Sequence, residues 1–318
     1  MRGIVSAPLR PSGTKRPQHA GFARAFLLAG ALLALPWLLG GCAWLDMKQR
    51  EIALRPTPGR PANVAPDEQL FRPGDERRVI EVPSDKGPQK LALWWLPHAD
   101  GNAPTLLYLH GTFRNLYSNM PKIDALRAAG FSVLAVDYRG WGDSEPIVPS
   151  EATITADAAT AWAELKRRQP QGGRRVIFGH SMGGAVAVRL ASTLRGQGAG
   201  AARDYGALVV ESTFTRINDV AGSAGFWGRV LAGFSTLDFE SIGPMRQVDG
   251  PVWMLHGEAD STVPVALGRR LRDAVPAGAL ARWVEVPGGN HSWLHRDASE
   301  LYQRTFRDLI QSLPGPTP

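Results

Sequence analysis

The chain has 318 residues, 44% apolar and 20% charged, with 35 glycines and 25 prolines. That length and balance supply a sizeable core and exclude both a disordered chain and a many-span membrane protein, and a single cysteine excludes a disulfide framework or a cysteine-built metal site. The net charge of +7 does not point to nucleic acid: residues 1–41 carry Arg2, Arg10, Lys15, Arg16 and Arg24 and no acid, leaving about +2 on the rest, too little to track a phosphate backbone.

The first element is an address. A basic stretch ending at Arg24 precedes an apolar run from Ala25 to Leu39, and small residues follow, the order of a secretory signal. Leu39-Gly40-Gly41-Cys42 resembles the bacterial lipobox, which implies a cleaved signal over 1–41 and a lipid on Cys42 as the first mature residue. Ala25 to Leu45 is also uncharged and long enough for an uncleaved anchor, although Pro36 and its glycines interrupt it. A buried free cysteine is the remaining alternative for Cys42. By resemblance to Gram-negative lipoproteins, Ala43 in place of an aspartate favours the outer membrane, facing the periplasm. Residues 42–74, with Pro56, Pro58, Pro61 and Pro66, read as a stiff tether outside any core.

From residue 75 to 318 the pattern is that of one domain. Arg78–Val82 and Leu91–Leu96 read as early antiparallel strands, and Thr105–His110 as a buried strand. A helix is expected over Met120–Ala129, closed by Gly130, then a strand over Phe131–Val136. Residues 151–168 read as a helix, Arg175–Phe178 as a strand, 182–195 as a helix and Ala207–Val210 as a strand. Pro251–Leu255 and Ala281–Val286 are further strands, with helices over Val265–Val275 and 298–313. Alternation of this kind predicts an α/β fold, a mostly parallel central sheet with helices on both faces. Residues 215–250 break the rhythm. Their length and aromatics (Phe226, Trp227, Phe234, Phe239) predict a small helical insertion that covers the site or packs against the sheet edge.

Gly179-His-Ser-Met-Gly183 lies between a strand and a helix. A turn this sharp exposes Ser181 in a strained conformation and needs small neighbours, and the helix that follows favours developing negative charge. A serine hydroxyl needs a base. His291, in the loop after the last strand, reaches the C-terminal sheet edge where open α/β folds bind ligands, with His295 as the fallback. The base needs a carboxylate to fix its tautomer. Asp260, just past a strand end, completes the order Ser…Asp…His; Glu211 is the runner-up acid, and Glu258 reads as solvated. The backbone N–H groups of Met182 and Thr112, or Phe113 beside it, are the expected oxyanion donors.

His110-Gly111, Asp137-Tyr-Arg-Gly-Trp-Gly-Asp-Ser144, the Ser181 turn, His256-Gly-Glu-Ala-Asp-Ser-Thr-Val-Pro264 and Gly288-Gly-Asn-His291 together resemble the α/β-hydrolase superfamily over about residues 75–313. With Glu211-Ser-Thr-Phe-Thr215, the resemblance is greatest to the Bem46-like branch, close to the serine aminopeptidase-like group. It implies a serine hydrolase of esters or thioesters with a small acyl substrate, needing no metal or organic cofactor, and the aromatics of residues 215–250 predict an apolar acyl pocket. Serine at 181 argues against the dehalogenases and epoxide hydrolases, which resemble the pattern with aspartate as nucleophile. The Asp137–Ser144 segment reads as structural, Gly140 and Gly142 shaping a loop and Asp143 capping a turn. A peptidase removing N-terminal residues stays open and would draw on Asp219, Asp238 or Glu240 to hold an α-amino group; so does a tethered binding protein without catalysis.

Overall fold

A computed structural model describes residues 44–194, 203–223 and 237–316. The chain divides after Asp46, and the architecture below is that of the second unit, from Met47 onward. The expected signal and Cys42 lie outside the described residues, as do Phe226, Trp227 and Phe234 of the expected insertion.

Eight strands form one sheet: β1 Glu76–Val82, β2 Gln89–Leu96, β3 Thr105–Leu109, β4 Ser132–Asp137, β5 Arg175–His180, β6 Ala207–Glu211, β7 Val252–Gly257 and β8 Leu280–Val286. Their order is β1-β2-β4-β3-β5-β6-β7-β8. β1 pairs β2, and β2 pairs β4, antiparallel; every later pairing is parallel. The chain leaves β3 for β4 on one side and returns to β5 on the other. The C-terminal ends of β3 and β5 therefore flank a topological switch point, where such sheets open a crevice.

Alternate residues of the buried strands face opposite layers. Leu107, Leu109, Ile177, Leu208 and Met254 pack under helices α2 (Glu151–Arg168), α3 (Met182–Thr193) and α4 (Val265–Arg272). Leu106, Tyr108, Phe178, Val209 and Leu255 pack under α1 (Leu116–Ala129) and α5 (Ser299–Ser312). The boundaries have local causes. Ser150 and Thr153 form a reciprocal capping box at the start of α2. Gly130 closes α1 in a left-handed conformation, φ 119°. α1 begins one turn before the expected Met120 and carries Pro121 inside it, because the Asp137 carboxylate accepts the Leu116 N–H at 2.9 Å.

Two expectations change. The stretch read as a free tether is packed against the domain from residue 47 onward. Leu54 is fully buried, worth about 2 kcal/mol for a side chain of that size. The Asn115 amide donates to the carbonyls of Thr57 and Gly59 at 3.0 and 2.8 Å, and in a short bridge between Pro58 and Gly142 the Gly59 N–H donates to the Gly142 carbonyl while the Gly142 N–H donates to that of Thr57. The domain thus starts some way before residue 75, because apolar and amide partners far along the chain capture a segment whose prolines alone suggested a spacer. In the insertion, helices cover Ile217–Ser223 and Ile242–Met245, and Phe239 is buried in the layer beside α2, where its N–H donates to Glu151 at 3.0 Å. That aromatic serves the core and not an acyl pocket.

Candidate active site

β5 ends at His180 and α3 starts at Met182, so Ser181 is the whole turn between them, at φ 55° and ψ −123°. A non-glycine residue held there costs of order 1–3 kcal/mol and persists because its surroundings over-determine it. The Ser181 N–H donates to the Glu211 carbonyl at 2.9 Å. Gly183 lies so close under the Leu109 and His110 carbonyls that any Cβ would collide with them.

The loop after β8 carries His291, and the loop between β7 and α4 carries Asp260. His291 Nε2 lies 3.0 Å from Ser181 Oγ, and Nδ1 lies 2.8 Å from Asp260 Oδ2. All three residues are buried. Burial by itself raises the pKa of Asp260. Hydrogen bonds from His256, His291 and the Val263 N–H outweigh it and hold the carboxyl well below the usual carboxylate range. Its Oδ1 accepts the Thr262 and Val263 N–H groups at 3.0 and 2.8 Å. An ionised Asp260 is acceptor-only, so His291 presents Nδ1–H to it and keeps the Nε2 lone pair for the serine. His180 steadies the histidine loop, its Nε2 donating to the His291 carbonyl at 2.8 Å. Burial, then the charge of Lys122, lowers the pKa of His180 and keeps it neutral.

The alternatives are placed elsewhere. Glu211 is fully buried and accepts from Lys122 Nζ and, at 3.0 Å, from the Tyr302 hydroxyl. His295 lies tilted against Trp293 and edge-on to Tyr302, and Glu258 is exposed. In the Asp137–Ser144 segment, Gly140 and Gly142 take positive φ and Asp143 accepts from the Tyr117 hydroxyl at 2.7 Å, a structural arrangement throughout.

Ser181 opens into a cleft of about 360 Å³. Gly111, Thr112 and Phe113 form one wall, on the turn after β3, with Phe113 at φ 71°. The Met182 N–H belongs to the first turn of α3, where no intrahelical acceptor exists, and the helix dipole adds partial positive charge. Arg55 and Arg114 also border the cleft. Neither was found from sequence: Arg55 sits in the captured segment, and Arg114 carries no motif of its own. A larger hollow, about 1150 Å³, lies at the opposite, N-terminal edge of β7 and β8, far from these groups.

A serine on a strand-to-helix turn, an acid after β7 and a histidine after β8 of a mostly parallel eight-stranded sheet define an α/β hydrolase, and the chain belongs to that superfamily. The family described as serine aminopeptidase, S33, matches residues 102–236. Uncharacterized protein Rv2307c of Mycobacterium tuberculosis is 33% identical over 236 residues, 74% of this chain and 78% of its own length. Lysophosphatidylserine lipase ABHD12 of Danio rerio is 35% identical over 201 residues, 58% of this chain; the chain spans half of that relative's length. An esterase of Pyrococcus furiosus superposes with a TM-score of 0.61 at 19% identity, covering 81% of this chain and 97% of the esterase, a likeness of fold.

Proposed function

We propose that this chain is a serine hydrolase cleaving carboxylic esters or thioesters through an acyl-enzyme. The observation that supports it most is the bridging position of His291, 3.0 Å from Ser181 Oγ and 2.8 Å from Asp260 Oδ2. In this reading His291 Nε2 takes the proton as Ser181 Oγ bonds to the carbonyl carbon. The N–H groups of Thr112 and Met182 hold the oxyanion, and removing one such donor typically costs about 10²–10³ in rate. The tetrahedral intermediate collapses with loss of the alcohol or thiol, which leaves with the proton from His291. Water, deprotonated by His291, then attacks the acyl-enzyme and releases the acid and free Ser181. The esterase and lipase names of the relatives agree with this chemistry.

The peptidase reading finds less support. It needs a carboxylate to hold an α-ammonium group, and none of the described residues bordering the cleft is acidic. Asp219 accepts from the Thr215 hydroxyl, Asp238 lies 3.6 Å from Arg216, and Glu240 accepts the Gly243 N–H at 2.9 Å. A lipid on Cys42, holding the enzyme to a bacterial membrane and facing the periplasm, is the other part of the proposal; it rests on the lipobox-like sequence alone. Radiolabelled palmitate retained by the wild type and lost in Cys42→Ala tests it.

The deciding experiment pairs fluorophosphonate labelling with a series of p-nitrophenyl esters, on residues 43–318 and on Ser181→Ala. Labelling and turnover that both vanish in the variant are expected. A folded wild type that neither labels nor turns over points instead to a binding protein.

A further inference from the structure

Two guanidinium groups border the Ser181 cleft, and among the described residues neither meets an acid. Arg55 Cζ lies 4.8 Å from the centre of the Phe113 ring, and Arg114 Cζ lies 4.4 Å from the centre of Trp293. Among the described residues neither arginine forms an ion pair, whereas Arg296, which shares the Trp293 ring at 4.6 Å, is paired with Asp297 at 3.4 Å. Stacking occupies the face of a guanidinium and leaves its edge N–H groups free for a planar acceptor.

The position of Arg55 is fixed by more than its own side chain. Its backbone is left-handed, φ 46°, which a non-glycine residue adopts at a cost. Buried Leu54 holds it from one side. From the other, the Asn115 amide grips Thr57 and Gly59, while Gly59 N–H donates to Gly142 at 2.7 Å. Asn115 directly follows Arg114, so one junction sets both cations beside the same opening. The rest of the cleft wall is neutral polar or aromatic, with Asn119, Thr262, Ser292 and the site histidines among it.

We propose that Arg55 and Arg114 form an anion subsite beside Ser181, and that the ester cleaved here carries a carboxylate or phosphate close to its scissile carbonyl. The proposal rests on the ester-hydrolase reading above and narrows its substrate. A charged partner for each guanidinium would form short, bidentate hydrogen bonds in a partly desolvated cleft.

The test uses two matched substrate pairs, each neutral against anionic. On the acyl side, the p-nitrophenyl ester of glutaric acid with its second carboxyl free is compared with the same ester methylated. On the alcohol side, butyryl glycerol 3-phosphate is compared with monobutyrin. In at least one pair the wild type should prefer the anionic ester by about tenfold or more in kcat/KM, the scale of one hydrogen bond to a charged group. Arg55→Gln and Arg114→Gln should each bring that ratio towards one, Arg→Lys should retain part of it, and added salt should shrink it. The pair that responds tells whether the charge belongs to the acid or the alcohol. A ratio under tenfold in both pairs, or one that survives both glutamine substitutions, overturns the subsite. If no ester turns over and no fluorophosphonate label is taken up, the hydrolase reading has failed. The subsite is then judged by calorimetric binding of glycerol 3-phosphate: binding lost in the double glutamine variant upholds it, and no binding, or binding that persists there, overturns it.

Discussion

The backbone N–H of Ser181 donates to the carbonyl oxygen of Glu211 at 2.9 Å, tying the serine's turn to the end of the neighbouring strand. The Glu211 side chain is itself gripped by Lys122 from α1 and by the Tyr302 hydroxyl from α5. One buried carboxylate thus connects three elements beneath the cleft. Lys122→Met would strand it without a counter-charge. Breaking such a buried pair costs about 3–5 kcal/mol, and urea unfolding should register a loss of that size. Adding Glu211→Gln should restore part of it, since an amide can still accept from Tyr302. A Lys122→Met variant as stable as the wild type would contradict the account.

Asp260→Asn should leave the fold intact and the reaction nearly lost. An amide at that place is free to turn its NH₂ to His291 Nδ1, which would then move its proton to Nε2 and face Ser181 with a donor. The expected fall in kcat is about 10⁴-fold. Ester turnover with a parallel thermal melt checks it; a fall below tenfold with an unchanged melt would deny Asp260 its orienting role.

Gly111→Ala probes the wall opposite the serine. A Cβ there would come to 3.0 Å from Ser181 Cβ and 3.2 Å from the His180 carbonyl. Neither neighbour can withdraw without shifting the turn, so Thr112 N–H and Ser181 move apart. Loss of one oxyanion donor would lower kcat by about 10²–10³, with a smaller change in KM. A KM effect alone would show that Thr112 does not hold the oxyanion.

Acid sensitivity should come from neutral buried imidazoles. Burial, then the charges of Lys122, Arg296 and Arg114, lowers the pKa of His295 to about 3, and His180 is lowered as well. Between pH 6.5 and the folded value the unfolded chain binds more protons than the folded one, so stability is present above 6.5 and falls as pH falls. The slope is up to about 1.4 kcal/mol per pH unit for each group, and less for His295, which is partly open to solvent. His110 and Asp137, 3.4 Å apart, work against each other: burial lowers His110 to about 4 and pushes Asp137 upward, so their two proton balances have opposite sign. Urea unfolding at pH 6.5 and 4.5 should show the decline, and His295→Gln should lessen it. An undiminished slope in that variant would assign the decline elsewhere.

The order of strands and helices was legible because buried strands are short apolar runs and Gly130 and Ser150 mark helix ends locally. Ser181, Asp260 and His291 were legible because each sits just beyond a strand end, and the sheet brings those ends together. What escaped was decided by distant partners. The early start of α1 depends on Asp137, twenty-one residues from Leu116. The capture of residues 54–59 depends on Asn115 and Gly142, and with it the presence of Arg55 at the cleft. His256 reads as a strand-end residue, yet its Nε2 comes within 3.4 Å of Asp260 and 2.9 Å of the Val263 carbonyl, bracing the acid's loop. No local pattern announces such contacts.

The packed stretch from Met47 to Gly74 also bears on how the enzyme can be cut and joined. A shortened form beginning at the first strand would keep Ser181, Asp260 and His291 and yet lose Leu54 from the interior and one cation from the entrance. If the proposed serine chemistry and anion subsite hold, such a form would take a fluorophosphonate label and still misreport what the longer chain prefers. Fusion partners and protease sites therefore belong upstream of Met47, and activity measured on the bare sheet domain would describe a different enzyme.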